Sequence, residues 1–339
     1  MSLYDIARAL PERLLPWYEA NARDLPWRRD REPYHILLSE IMLQQTRVEA
    51  VKAYYERFLA ALPDVESLAK ADEQTLLKLW EGLGYYSRVR NLQKAAQAVV
   101  ARGSFPTDAN GLLELPGVGP YTAGAVGSIC FELPTPAVDG NVLRVMTRLT
   151  ADERPINDTA LKREITEALA AVYPDGRCGD FTQALMELGA TLCGPNGAPD
   201  CERCPVRELC ASVDGAWQRI PVRPAKKARR QEQRSVLLLR CGETIALQKR
   251  PNKGLLAGLW ELPNRLGAME AQEALDWAAG LGVQPVELRK SITRRHIFTH
   301  VEWELTGFEI ECRVQIPTLT WQTADEAALP TAFRILLED

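Results

Sequence analysis

The chain has 339 residues, 46% of them hydrophobic and 25% charged, with 45 acidic against 41 basic side chains. That length exceeds one ordinary core and predicts two or three domains, and the composition excludes a fibrous or disordered chain. No apolar run approaches the ~20 residues of a membrane-spanning helix, and a net charge of −4 argues only weakly against nucleic acid, because where charge sits matters more than its sum.

The N-terminal stretch MSLYDIARALPERLLPWYEA reads as an amphipathic, charged helix rather than a secretory leader, which implies a cytoplasmic protein with no membrane association. PYHILLSEIMLQQTRVEAVKAYYERFLAAL (33–62) repeats apolar residues at three-to-four spacing and predicts a helix ending before Pro63. ESLAKADEQTLLKLWEGLG (66–84) and VRNLQKAAQAVVARG (89–103) predict helices that stop at glycine. LPGVGPYTAGAV (115–126) follows. Gly117 and Gly119 predict a tight turn at positive φ with no Cβ in the way of a close approach. Pro120 suits the first turn of a helix. The free amides of such a turn form an anion site that a DNA phosphate would fit, although glycine turns also serve simply as helix corners.

Helical periodicity continues through NVLRVMTRLT, LKREITEALAAVY and FTQALMELGATLC. Asp139 precedes the first of these segments, where an aspartate commonly caps a helix and where the helix end favours its ionised form. An ionised carboxylate beside a sugar can stabilise an oxocarbenium-like centre or bond to it. Glu40 lies inside its helix among apolar neighbours, on a face with Ile36, Leu43 and Gln44. An ordinary helix glutamate faces solvent, whereas burial here would raise its pKa and hold a proton ready for donation.

Four of the eight cysteines crowd into residues 193–210 with the spacing C-x7-C-x2-C-x5-C. Without a secretory leader this predicts metal ligation rather than disulfides, and four cysteines suit zinc or an iron–sulfur cluster, which spacing alone does not separate. Residues 216–233 shift to Pro, Lys and Arg and mark a linker, within which RIPVRPAKKARR (219–230) carries six basic residues and no acid. That run serves either as a solvated linker or as a phosphate contact. Beyond it the period changes to two. RSVLLLRCGETIALQKR predicts a hairpin around Gly242, and Val301, Trp303 and Leu305 share one strand face. A phase slip at Gly307 predicts a β-bulge, and residues 270–282 predict a helix.

The run LPGVGPYTAGAVGSI, followed by TPAVDGNVLRVMTR and the cysteine cluster, resembles the helix-hairpin-helix DNA glycosylase superfamily. SEIMLQQTRV and GLGYYSRVRNL resemble its MutY branch, the adenine DNA glycosylases, and the resemblance covers nearly the whole chain. It implies an all-α helix-hairpin-helix glycosylase domain over 1–215, with its hairpin at 112–130 and an iron–sulfur loop at 193–210. An α+β Nudix-like domain over 234–339 would follow the linker. The implied activity is base excision repair: hydrolysis of the N-glycosidic bond of adenine mispaired with 8-oxoguanine, or guanine, in double-stranded DNA, by a monomer that swings the base out of the stack.

By the same resemblance Glu40 protonates the adenine, Asp139 supports the sugar cation, and Asn141 stands beside it. Arg28 and Gln183 contact or lie near the adenine, Gln45 and Tyr85 intercalate, and Gly117 and Gly119 hold the DNA backbone. A lysine stands at the position of Tyr121 in strand-cutting members and forms a Schiff base, which tyrosine cannot do. A monofunctional enzyme follows. Cys193, Cys201, Cys204 and Cys210 would ligate a [4Fe–4S] cluster, with one more residue in the first spacing than the family's C-x6-C. RPNKGLLAGLWELP resembles a Nudix-type module, but the glutamate-rich helix that holds magnesium in working Nudix hydrolases is missing. This implies recognition without hydrolysis. Phe298-Thr299-His300 occupies the family's F-S-H loop for 8-oxoguanine. Two rival readings are a bifunctional pyrimidine glycosylase with lyase activity and a non-catalytic lesion-sensing DNA-binding protein.

Overall fold

The structure is a computed structural model that describes residues 1–225 and 228–338, so Lys226 and Lys227 of the basic run lie outside the described residues. The chain divides into two compact units: Met1–Ala71 with Ser87–Ala225, and Asp72–Tyr86 with the described part of Lys226–Asp339. Its helices in chain order are α1 (Leu3–Asn21), α2 (Pro33–Leu43), α3 (Val48–Ala61), α4 (Val65–Lys70), α5 (Glu73–Leu79), α6 (Ser87–Arg102), α7 (Ala109–Glu114), α8 (Pro120–Phe131), α9 (Gly140–Thr150), α10 (Thr159–Ala170), α11 (Cys178–Thr191), α12 (Ala271–Leu281) and α13 (Thr331–Arg334). The strands are β1 (Arg230–Cys241), β2 (Thr244–Lys249), β3 (Trp260–Glu261), β4 (Asn264–Leu266), β5 (Pro285–Ile297), β6 (Val301–Cys312) and β7 (Thr320–Thr323). Among the described residues no helix is long and apolar enough to cross a membrane.

In the first unit several helices start where short polar side chains accept backbone amides. Ser2 and Asp64 form capping boxes, and Asp108 and Asp158 cap singly. Ile6, Leu10, Leu14 and Tyr18 recur at four-residue spacing along α1 and pack with Val142, Met146 and Leu149 of α9 and Phe181, Leu185 and Leu188 of α11. Each such buried aliphatic or aromatic side chain contributes roughly 1.5–3 kcal/mol.

The continuous helix expected over 33–62 is two helices, with a break at residues 44–47 where Gln45 takes φ 60. The apolar spacing runs through the break because α2 is buried nearly all round while α3 buries one face at Val51, Tyr55 and Phe58, and no glycine or proline marks it. The stretch 66–84 is also two helices. Asp72 accepts from the Thr75 amide and starts α5, which belongs to the second unit.

The hairpin differs from expectation at one glycine. Gly117 has φ 77, but Gly119 is extended at φ −97 and caps α8 ahead of Pro120. Nothing lies within 4 Å of where a Gly119 Cβ would be, so its lack of a side chain leaves open space rather than permitting a strained turn. At Gly124 a Cβ would meet the Pro136 carbonyl oxygen at 2.3 Å, so α8 packs directly on the strand-like chain leading to Asp139.

In the second unit the sheet order is β3-β2-β1-β6-β5, with β4 beside β1 and β7 beside β2. β1 and β6 run parallel from Arg230↔Val301 to Arg240↔Glu311, and β5 lies antiparallel to β6. Val236 and Leu238 of β1 join Val301, Trp303 and Leu305 in a core with Phe333, while Leu237 and Leu239 join Phe308 and Ile310 in a second core under α12. This corrects the bulge expected at Gly307. The β5–β6 register is regular there and shifts instead at Pro285/Glu287 and Leu288/Lys290. The phase slip arises because β6 is apolar toward one core in its first half and toward the other in its second.

α5 and the loop after it dock on this sheet. Lys78 donates to the Asp325 carbonyl at 2.5 Å, Glu73 pairs with Lys249 at 3.5 Å, and Glu81 pairs with Arg334 at 2.6 Å. Residues 216–222 pack on the helical unit, with Ile220 buried and its carbonyl accepting from Arg148 at 2.9 Å.

Candidate active site

Glu40 lies near the end of α2, a helix buried at Tyr34 and from Ile36 to Met42 because it runs through the middle of its unit. Only 5% of Glu40 is exposed. Its carboxylate accepts one side-chain hydrogen bond, from the Tyr121 hydroxyl. Burial pushes its pKa up to about 7; Tyr121 and Arg28 pull it down and the nearby negative charge of Asp139 adds to the rise.

Asp139 is the N-cap of α9. Its Oδ1 accepts from the backbone amides of Asn141 and Val142, both at 2.8 Å, and its Oδ2 accepts from Asn141 Nδ2 at 2.8 Å. The cap was expected to keep this carboxylate ionised. Burial opposes it: the pKa lies above the ordinary value, pushed up by desolvation and drawn back by those three donors and Arg144. Asn141 is itself fixed, since its Oδ1 accepts from Arg144 Nη2 at 2.8 Å, and the same guanidinium donates to the Gly189 and Cys193 carbonyls at 2.9 Å.

Both carboxylates line one pocket of about 560 Å³, together with Arg28, Tyr121, Asn141 and Gln183. A pocket of this size matches a small-molecule or nucleobase site. One wall was not foreseen. Glu187 of α11 is fully buried; its carboxylate takes Arg23 Nε at 2.6 Å and Arg28 Nη2 at 2.8 Å. These bonds outweigh burial and hold its pKa below the ordinary value. Nothing in FTQALMELGA distinguishes this glutamate from a solvent-facing one. Gln44 and Gln45 also line the pocket, delivered by the break after α2. Gln45 is exposed and holds a left-handed backbone. Such a conformation in a non-glycine residue costs of order 1–3 kcal/mol and concentrates at functional positions.

Cys193, Cys201, Cys204 and Cys210 line one cavity with Arg148, whose Nη1 lies 3.3 Å from the Cys193 sulfur. Among the described residues no three His, Cys, Asp or Glu side chains converge as ligands of a single ion. The extra residue in the first spacing falls in the loop that holds Gly194 and Gly197, the latter at φ 73.

In the second unit Phe298, Thr299 and His300 form the turn between β5 and β6. Phe298 packs edge-on against Trp303 at 4.8 Å between ring centroids, while Thr299 and His300 are exposed. Tyr85 belongs to this unit, stands 47% exposed at φ 47, and shares a 2.7 Å hydrogen bond between its hydroxyl and that of Thr299. Glu270 and Glu273, the acids that follow Trp260-Glu261 in the chain, cap α12 in a reciprocal box.

A helical unit built round a glycine hairpin, with two carboxylates, one buried and one half-buried, in one pocket, has the fold of a helix-hairpin-helix DNA glycosylase. Residues 38–171 match the HhH-GPD superfamily of base excision DNA repair proteins, and residues 235–339 match the NUDIX domain. The adenine DNA glycosylase of Rattus norvegicus is 34% identical over 96% of this chain and 77% of its own length, and that of Homo sapiens is 34% identical over 95% and 72%. That of Buchnera aphidicola subsp. Acyrthosiphon pisum is 30% identical over 85% and 82%. Among solved structures, a thermostable thymine-DNA glycosylase is 30% identical with a TM-score of 0.56, covering 62% of this chain and 97% of its own. A trapped endonuclease III–DNA covalent intermediate, 24% identical over 63% of this chain and 97% of its own with a TM-score of 0.53, shares the fold. The chain belongs to the adenine DNA glycosylase family, enzymes that hydrolyse N-glycosyl bonds.

Proposed function

We propose that this protein binds double-stranded DNA and hydrolyses the N-glycosidic bond of adenine mispaired with 8-oxoguanine, without cutting the strand. The observation that carries the reading is the pair of carboxylates in one pocket, Glu40 buried and Asp139 half-buried, with the Glu40 pKa at about 7. Between such coupled acids a shared proton rests where the ionised form has fewer donors. Glu40 has Tyr121, whereas Asp139 has three N–H donors. Glu40 therefore holds the proton and delivers it to a ring nitrogen of the extruded adenine, which leaves as a neutral base. Asp139 stays ionised and stabilises the oxocarbenium-like sugar until water adds to the sugar carbon, and the proton that water sheds returns to the Glu40 carboxylate. The phenol of Tyr121 supplies no amine for a Schiff base, which supports an abasic-site product with intact strands.

Arg28, aligned by Glu187, and Gln183 bound the adenine in this reading, and Gln45 fills the space it vacates. Gly117 and Gly119 let the DNA backbone approach the amides at the start of α8. Cys193, Cys201, Cys204 and Cys210 would hold a [4Fe–4S] cluster, supported by their common cavity. The cluster would give the following loop its shape. Tyr85 and the Phe298-Thr299-His300 turn would read 8-oxoguanine, supported by the exposure of Tyr85, Thr299 and His300 and by the hydroxyl bond between Tyr85 and Thr299. Duplexes carrying A:8-oxoguanine, A:G, T:G and thymine glycol, assayed with and without alkali, test the whole. Adenine release from A:8-oxoguanine, with strand breaks only after alkali, is expected. Pyrimidine release, or a borohydride-trapped enzyme–DNA adduct, overturns it.

A further inference from the structure

The helix that carries Glu40 ends without a usual stop. α2 has no basic residue in its last turn, and its C-cap Gln44 stands at φ −57 and ψ 111 rather than in the left-handed state of a glycine cap. The last carbonyls of a helix lack intrahelical donors, and buried ones require partners. Leu43 is served locally, by the Thr46 amide at 3.2 Å. Three more are served from α6. Arg88 Nη1 donates to the carbonyls of Ile41 at 2.9 Å, Met42 at 3.2 Å and Gln44. A guanidinium suits this task, because its donors are fixed in a plane and its charge complements the negative helix end. Arg88 does not line the pocket.

We propose that Arg88 is a positioning residue: by capping α2 it sets where that helix stops, and so the depth of Glu40 beside Tyr121 and the entry of Gln44 and Gln45 into the pocket wall. The inference rests on the reading of Glu40 as proton donor. The charged and titratable groups acting on Glu40 are Tyr121 from α8, Asp139 at the start of α9 and Arg28 from the turn before α2. Arg88 instead grips the main chain one residue beyond Glu40 and onward, so it acts by geometry.

The test compares wild type, Arg88→Met and Arg88→Lys in single-turnover adenine release from an A:8-oxoguanine duplex across roughly pH 5–9, with rates taken for the active fraction from burst amplitudes. Arg88→Met is expected to slow release about 100-fold, the size of effect that a displacement of about 1 Å produces. Its high-pH limb should move to lower pH as a displaced Glu40 gains water. Arg88→Lys keeps a cation at the helix end and should recover at least about tenfold of that loss. A merely structural role predicts fewer active molecules with unchanged rate and unchanged limb, and that result overturns the proposal. So does failure of both variants to fold. If wild type releases no adenine, the reading of the pocket fails and takes this inference with it, by an outcome visible in the control alone.

Discussion

Glu40→Gln should cost the protein its activity and make it more stable. In the folded state the carboxyl titrates at about 7 against an ordinary 4.5. Between those values the folded protein keeps a proton that the unfolded chain has lost, so stability falls as pH rises through that window and the loss is complete above it. At about 1.4 kcal/mol per pH unit the gap corresponds to about 3 kcal/mol. Glutamine has similar volume, accepts from Tyr121 and never ionises. The variant should therefore gain about 2–3 kcal/mol at pH 8 and lie within about 0.5 kcal/mol of wild type near pH 4.5. Urea unfolding followed by far-UV circular dichroism, which the helical unit dominates, measures both. An equal gain at the two pH values, or a loss at pH 8, would refute the claim that Glu40 is a buried acid under strain.

Three further changes separate the parts of the account. Tyr121→Phe removes the donor that favours ionised Glu40, so the high-pH limb of adenine release should rise by about one pH unit, read from single-turnover rates. Thr299→Val breaks the hydroxyl bond to Tyr85 and should reduce the preference for A:8-oxoguanine over A:G about fivefold in competition assays, since such a bond is worth about 1 kcal/mol. Cys201→Ala should lose bound iron and visible absorbance, measured on purified protein, while the Glu40 limb stays in place.

Features fixed by neighbouring residues were legible in the sequence. Gly117 and Pro120 each answer to a local backbone requirement. The change to a period of two announced the strands that follow residue 230. What joins distant segments was not legible from periodicity. Glu40 and Asp139 were singled out by motif resemblance, and only the three-dimensional structure brings them to one pocket. Glu187 looks like any surface glutamate until Arg23 and Arg28 are placed on it. The break after Leu43 has no signal of its own because its cap, Arg88, comes from another helix. Nor could the sequence show that α5 packs on the sheet, since the polar contacts that hold it there come from residues as distant as Asp325 and Arg334. At Asp139 the cap was foreseen and the burial was not, and burial set the direction of its pKa.

The most direct measurement is single-turnover release of adenine from an A:8-oxoguanine duplex by wild type, Glu40→Gln and Asp139→Asn, with binding of the same duplex recorded alongside. Release by wild type alone, with all three proteins binding, is the predicted result. Release at the wild-type rate by either variant would contradict the division of labour between the two carboxylates.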